Sequence, residues 1–411
     1  MRILLLFGTF LMTLQVLGQT MVSGFSAGLH TGGSTITTTA NFPADVSTYN
    51  QVLMHVSLDC PAGGCDPWDR FANLYLEVDG VDIEIGRYIT PYGNDWCDWT
   101  IDVSEYRNFL TGTRTLKSHI ETWQNGWLVN TEFEFITGTP TYAYTSVQNL
   151  WSDYQFTYGD TLFYSINLPE KLVDIPANTE SALLRIVNTG HGQGNTDNAA
   201  EFAPKTHSIH VNGNQEFTQF LWNDDCDQNP CSPQGGTWQF DRAGWCPGED
   251  VVPADYNLNS FMTAGQSMTL DYVLEPFFNL CSPWNPGCSP GTTCAECTYN
   301  SNGHTEPHYK IAGQLILHSN TPFPTVSVKE YLLDDDTRIY PNPSAGVFNL
   351  AMDLGDSYEV VVTDLQGRTI FTESFLGLSH QLDLTDQARG IYFVNIQSQS
   401  RTYNFKVMLD N

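Results

Sequence analysis

Ala72-Asn73-Leu74-Tyr75-Leu76-Glu77-Val78 sets Ala, Leu, Leu and Val at alternate positions, the period of a strand with one face turned to a core. The alternation returns in Met268-Thr269-Leu270-Asp271-Tyr272-Val273-Leu274, where Met268, Leu270, Tyr272 and Leu274 share a face. No long stretch keeps the 3.6-residue period of a helix. Over 411 residues this pattern predicts an all-β chain of two sandwich domains followed by a smaller one. Asn125-Gly126 predicts a hairpin turn between strands at 119–123 and 131–136, since Asn-Gly readily supplies positive φ. On such a strand His119, Glu121 and Trp123 face one way.

Directly before the first strand stands Cys65-Asp66-Pro67-Trp68-Asp69-Arg70, and far downstream Asp241-Arg242-Ala243-Gly244-Trp245-Cys246. Each puts acid, arginine, tryptophan and cysteine side by side. In a β-rich exported protein that combination suits a polar ring-shaped ligand, because indoles cover apolar sugar faces while carboxylates handle protons. It suggests a carbohydrate-directed site. Trp68, Trp123 and Trp245 also admit core packing, the preferred reading for Trp68 and Trp245.

Met1-Arg2, the apolar run from Ile3 to Leu17, and Val16 and Gly18 before Gln19 read as a signal peptide over 1–18. The run is too short to span a bilayer, and no lipid-anchoring cysteine follows it. The mature chain is expected to be exported, with no membrane anchor. Ten cysteines then imply disulfides. Cys60 and Cys65 bracket a short loop before the first motif. Cys226, Cys231 and Cys246 surround the second: one of Cys226 and Cys231 pairs with Cys246, leaving the other for Cys97. Cys281, Cys288, Cys294 and Cys297 lie in a Pro/Gly-rich insertion with His304 and His308. Cys294-x2-Cys297 and His304-x3-His308 resemble zinc spacing, but an oxidising compartment favours two local disulfides and no metal.

A formal net charge of −29 excludes a basic nucleic-acid-binding face and fits a solvated surface. Thr137-Gly138-Thr139-Pro140 closes a first domain (19–140) and a second spans 141–319, with the Cys-rich insertion at 281–308. A linker at 320–337 ends in Asp334-Asp335-Asp336, which lacks the spaced ligands of a calcium loop. The Gly190-His191-Gly192-Gln193-Gly194 loop lacks the strand-to-helix setting of a phosphate cradle.

Two family resemblances stand on longer motifs. Ile339-Tyr340-Pro341-Asn342-Pro343-Ser344-Ala345-Gly346, Val361-Val362-Thr363-Asp364-Leu365-Gln366-Gly367-Arg368 and Gly390-Ile391-Tyr392-Phe393-Val394 resemble the C-terminal sorting domain of the Por-type (type IX) secretion system of Bacteroidetes. This implies a small β-sandwich over 338–411, delivery by the type IX secretion machinery, and catalysis upstream; an accessory immunoglobulin-like module is the competing reading. Gln366-Gly367 suits a hairpin turn.

Residues 24–319 resemble the peptide:N-glycosidase F family. The resemblance rests on Phe42-Pro43-Ala44-Asp45-Val46, Cys65 to Asn73, Glu84-Ile85-Gly86-Arg87-Tyr88-Ile89-Thr90-Pro91-Tyr92, Ile101-Asp102-Val103, Glu121-Thr122-Trp123, Thr206-His207 and Asp241 to Gly248. It implies two packed eight-stranded jelly rolls and hydrolysis of the β-aspartylglucosamine amide of N-linked glycoproteins or glycopeptides; the chain is expected to act as a monomer without cofactor. Asp69 matches the principal catalytic acid, Glu121 the first-domain glutamate and Glu201 the second-domain one. Arg70 and Arg242 match arginines lining the cleft, while Trp123 and His191 are expected to contact glycan. Where the family braces the second glutamate's loop with two cysteines, this chain has Ala199 and Ala203. The alternatives are a non-catalytic glycan-binding paralogue and a copper- and ascorbate-dependent monooxygenase sharing the two-jelly-roll architecture. The latter uses histidine clusters, whereas His207-x2-His210 puts its rings on opposite strand faces.

Overall fold

A computed structural model describes residues 19–94, 97–123, 126–159, 168–193, 196–279, 305–324, 338–342, 344–364, 368–398 and 402–409. The expected signal peptide, the cysteines from Cys281 to Cys297, His304, the Asp334–Asp336 triplet and the Gln366-Gly367 turn lie outside the described residues.

The first sandwich holds β1 (Gln19–Ser23), β2 (Gly28–His30), β3 (Thr35–Phe42), β4 (Tyr49–Asp59), β5 (Phe71–Val78), β6 (Val81–Ile89), β7 (Asp98–Asp102), β8 (Gly112–Ile120) and β9 (Trp127–Thr137). One antiparallel sheet runs β1-β9-β4-β7 with the short β2 also on β9; the other runs β3-β8-β5-β6. The second sandwich holds β10 (Tyr144–Thr157), β11 (Lys171–Asp174), β12 (Ser181–His191), β13 (Lys205–Val211), β14 (Asn214–Leu221), β15 (Ala254–Asn257), β16 (Ser267–Val273) and β17 (His308–Ser319). Its sheets run β10-β17-β12-β15 and β11-β16-β13-β14. These are the two jelly rolls, and they form one compact unit. The fold is all-β, and the helical segments among the described residues are three-residue 3₁₀ turns.

A separate unit holds β18 (Arg338–Tyr340), β19 (Val347–Thr363), β20 (Thr369–Asp383), β21 (Gly390–Gln397) and β22 (Thr402–Leu409). Register along β19 breaks between Ala351 and Asp356, so its first part pairs with β18 and its last with β21 while β20 follows both. Phe348, Leu350, Val360, Val362, Leu382, Val394 and Val407 fill this small core.

Alternation explains the jelly-roll cores. On β4, Val52, Met54, Val56 and Leu58 point inward and meet Trp127, Val129, Phe133 and Phe135 from β9. On β5, Ala72, Leu74 and Leu76 do the same, while Val78, at the strand's end, is only partly buried. The opposite face of β5 is not solvated either. Phe71 joins Ile89, Trp245 and Val251 in a cluster drawn from both jelly rolls, so the second jelly roll covers the outside of the first one's sheet.

Polar groups in this seam are satisfied across it. The fully buried Arg87 on β6 donates to both Glu84 carboxylate oxygens, at 2.7 and 3.0 Å, and to the Lys310 carbonyl of β17. Gln314 donates to the Glu84 carbonyl and accepts from the Tyr106 hydroxyl. The edge of β6 is closed by the long loop between β14 and β15: Gly248 N–H reaches the Ile89 carbonyl, Ile89 N–H reaches Glu249, and Val251 N–H reaches Arg87. An unpaired edge is thereby removed where the site forms.

The structure corrects two expectations, the hairpin and the shared strand face of Glu121 and Trp123. The strands flanking Asn125-Gly126 are not a hairpin, because β8 and β9 belong to different sheets and the connection crosses the sandwich. Gly126 serves that crossing: its φ is +93°, and a Cβ there would lie 1.9 Å from the His30 carbonyl oxygen. Glu121 and Trp123 follow the end of β8, so strand alternation does not set their direction. The segment expected to open the linker is tethered at its start, with Asn320 donating twice to the Glu180 carboxylate.

Removing one member of the Glu84–Arg87 pair leaves a buried charge without its partner. Glu84→Gln is expected to lower stability by about 3 kcal/mol in urea unfolding, and Glu84→Leu/Arg87→Met to recover much of the loss.

Candidate active site

The site is assembled from four loops on an arginine. Arg242, on the loop between β14 and β15, has no solvent exposure. Its backbone bridges to Asn223, and its guanidinium lies 4.8 Å over the Trp245 ring and 5.1 Å from the Phe202 ring. From this dry setting it donates to the Phe240 carbonyl at 2.5 Å, to Thr237 Oγ1 at 3.0 Å and to Glu201 Oε1 at 3.3 Å. Asp69 Oδ2 stands 3.8 Å from its Nη2. The two motifs therefore meet, Asp69 coming from the first jelly roll and Arg242 from the second.

Asp69 follows a loop closed by the Cys60–Cys65 disulfide. Its neighbour Asp66 is buried and accepts from Arg70 Nε at 2.8 Å, Arg70 Nη2 at 3.1 Å, Thr122 Oγ1 at 2.7 Å and the Trp68 N–H at 3.0 Å. Burial works against its ionisation, but these donors outweigh it and hold the Asp66 carboxyl below the usual range. Arg70 thus orients Asp66, and its guanidinium carbon lies 4.8 Å from the centre of the Trp123 ring. At Asp69, burial wins over Arg242 and the Tyr92 hydroxyl, and the carboxyl is raised.

Glu201 lies between a 3₁₀ turn and β13. Its Oε2 accepts the Gly192 N–H at 3.1 Å, and its carbonyl accepts from Ala243 N–H at 2.9 Å. The loop around it buries Ala199 and Ala203 and is further tied by Thr196 to Asn279 across 3.4 Å. Burial, then repulsion from Asp69, pushes the Glu201 carboxyl up to about 7 against the pull of Arg242 and Gly192. A carboxyl that keeps its proton near neutrality beside one facing a fixed cation gives a donor and a base in one cleft.

Glu121 meets Lys310 Nζ from β17. Trp123 is 66% exposed and Trp68 53%, which overturns the core reading for Trp68, whereas Trp245 is 3% exposed and belongs to the seam. His191 ends β12 opposite His308 on β17, its ring stacked 5.2 Å from Trp245 and 5.4 Å from His308. Burial, then the neighbouring His308 ring and the cations Lys310, Arg87 and Arg242, keep His191 neutral. Its Nε2 is also hydrogen-bonded to Thr189 Oγ1 at 2.9 Å, so stacking and this bond together fix the ring's edge. Cys226 pairs with Cys246, and Cys97 with Cys231.

Three residues escaped the sequence reading. Tyr92 hydrogen-bonds Thr237 at 3.0 Å and stands by Asp69; burial and the Asp69 charge push its hydroxyl up to about 12, so it remains a donor. Thr237 links Tyr92 to Arg242, and Lys310 faces Glu121. Only Tyr92 stood inside a quoted motif; the other two have no local pattern.

Comparison with known proteins agrees with this geometry. Residues 160–302 match the family Peptide-N-glycosidase F, C terminal, and residues 338–410 match the Secretion system C-terminal sorting domain. The chain is 33% identical over 305 residues to peptide-N(4)-(N-acetyl-beta-D-glucosaminyl)asparagine amidase F of Elizabethkingia miricola, covering 69% of this chain and 78% of that one. The solved structure of PNGase F, a glycosylasparaginase from Flavobacterium meningosepticum, superposes with a TM-score of 0.64 at 29% identity, over 74% of this chain and 97% of that one. PNGF-II shares the fold at a TM-score of 0.55 and 15% identity, over 74% of this chain and 66% of its own. The chain belongs to the peptide:N-glycosidase F family.

Replacing Asp69 by Asn removes a negative neighbour of Glu201. In carboxyl-selective NMR titration, Glu201 is expected to titrate near pH 7 in the wild type and lower in Asp69→Asn, though still above an ordinary glutamate because burial persists.

Proposed function

We propose that the protein is an exported glycoamidase that hydrolyses the β-aspartylglucosamine amide of N-glycoproteins, releasing the glycan and converting Asn to Asp. The observation that carries this reading is the pair of carboxylates, Asp69 and Glu201, held from different jelly rolls on the buried Arg242. Asp69 takes a proton from water as its oxygen attacks the amide carbonyl carbon. Glu201, protonated in the neutral range, delivers a proton to the departing nitrogen as the carbon–nitrogen bond breaks. The products are an aspartate side chain and a glycosylamine. Arg242 fixes both carboxylates and Tyr92 donates toward Asp69, so little reorganisation accompanies reaction. Glu121 and Trp123 hold the sugars nearest the scissile bond by hydrogen bonds and stacking, Arg70 supports Trp123, and the His191 edge contacts glycan.

In this reading residues 1–18 are a signal peptide, 19–140 and 141–319 the jelly rolls, with the insertion at 281–308, 320–337 a linker and 338–411 the sorting domain that hands the chain to type IX secretion. The protein acts as a secreted monomer. The oxygenase alternative gains no support from His207, which is fully buried near Tyr158, Tyr272 and Tyr309 and accepts the Glu275 N–H.

Incubation with a denatured N-glycoprotein, followed by peptide mass spectrometry, is expected to show Asn-to-Asp conversion, a shift of about one mass unit, that Asp69→Asn abolishes. Glycan binding without conversion would support a lectin instead. The log kcat/KM profile is expected to fall above about pH 7 as Glu201 loses its proton; a plateau far into the alkaline range would remove Glu201 from the donor role.

A further inference from the structure

Lys310 lies on β17 with its side chain 3% exposed, and its ammonium contacts Glu121 Oε1 while standing 4.4 Å over the Phe71 ring. Glu121 comes from the other jelly roll, 189 residues away in sequence, with its backbone N–H donating to the Phe71 carbonyl at 3.0 Å. Its own side chain is 25% exposed. A buried ammonium must be met by a fixed counter-charge, whereas a partly exposed carboxylate at a loop could turn into solvent on its own. The pair therefore acts in one direction: Lys310 fixes where Glu121 points. With Oε1 engaged, Glu121 Oε2 has no further partner among the described residues.

We infer that Lys310 is a positioning residue that holds Glu121 so that its second oxygen accepts hydrogen bonds from the sugar beside the scissile bond. This rests on the amidase reading for the place of the sugar. Because the contact is made with bound sugar before and during reaction alike, its loss weakens binding more than turnover. Lys310→Met is expected to raise KM for a glycopeptide on the order of tenfold with kcat within about threefold, and Lys310→Arg to restore part of the affinity. A merely structural lysine would instead lower the melting temperature and the active fraction with KM unchanged.

The same comparison can be read without hydrolysis. In the Asp69→Asn background, titration with N,N′-diacetylchitobiose is expected to show weaker binding for Lys310→Met and for Glu121→Gln, and no additional loss in Glu121→Gln/Lys310→Met. That double variant leaves neither charge unpaired, so it carries the test should Lys310→Met fail to fold. Additive losses, or an unchanged KM and Kd in Lys310→Met, would overturn the inference. A wild-type protein that binds the disaccharide but leaves Asn unconverted would refute the amidase reading alone.

Discussion

The buried Glu84–Arg87 pair is the constraint on which the rest depends. A guanidinium with no access to water must have its donors met, and Arg87 meets them with a carboxylate from its own strand and the Lys310 carbonyl of the other jelly roll. The pairing leaves little freedom in how the sheets approach. Once β6 is set against β12 and β17, the loops at the ends of those strands have fixed neighbours. Lys310 stands near the start of β17 and Glu201 on the loop that leaves β12, while Asp69 precedes β5 and Glu121 follows β8, strands of the same sheet as β6.

Electrostatics in the cleft follow from the same dry seam. Burial raises Asp69 and Glu201, and a single buried cation, Arg242, faces both. The two acids repel each other across that cation, and the repulsion adds to burial in raising Glu201. Asp66, a few positions from Asp69, shows the contrast: its own arginine and two further donors hold it ionised, so it anchors the loop.

Much of this was legible from residues. Alternation at Ala72–Val78 and Met268–Leu274 identified core strands, because the period of two follows from backbone geometry alone. The cysteines around the second motif limited the pairings to a short choice. Alternation could not show that the outer face of β5 is also covered, since Phe71 packs against Trp245 and Val251, more than a hundred positions away. Nor could Asn125-Gly126 reveal its sheet partners: a turn signal describes two residues, while sheet membership is decided by distant pairing. Thr237 and Lys310 were invisible for that reason, and the exposure of Trp68 depends on loop packing that composition does not encode.

The Cys97–Cys231 bridge joins the β6–β7 connection of one jelly roll to the loop carrying Arg242 in the other, across 134 residues. Closing so long a loop removes unfolded-chain freedom worth about 5 kcal/mol. It also changes what proteolysis can do. A backbone cut between the bridged positions separates no fragment, so a nicked molecule stays one particle, its two halves held at the seam until a reductant parts them.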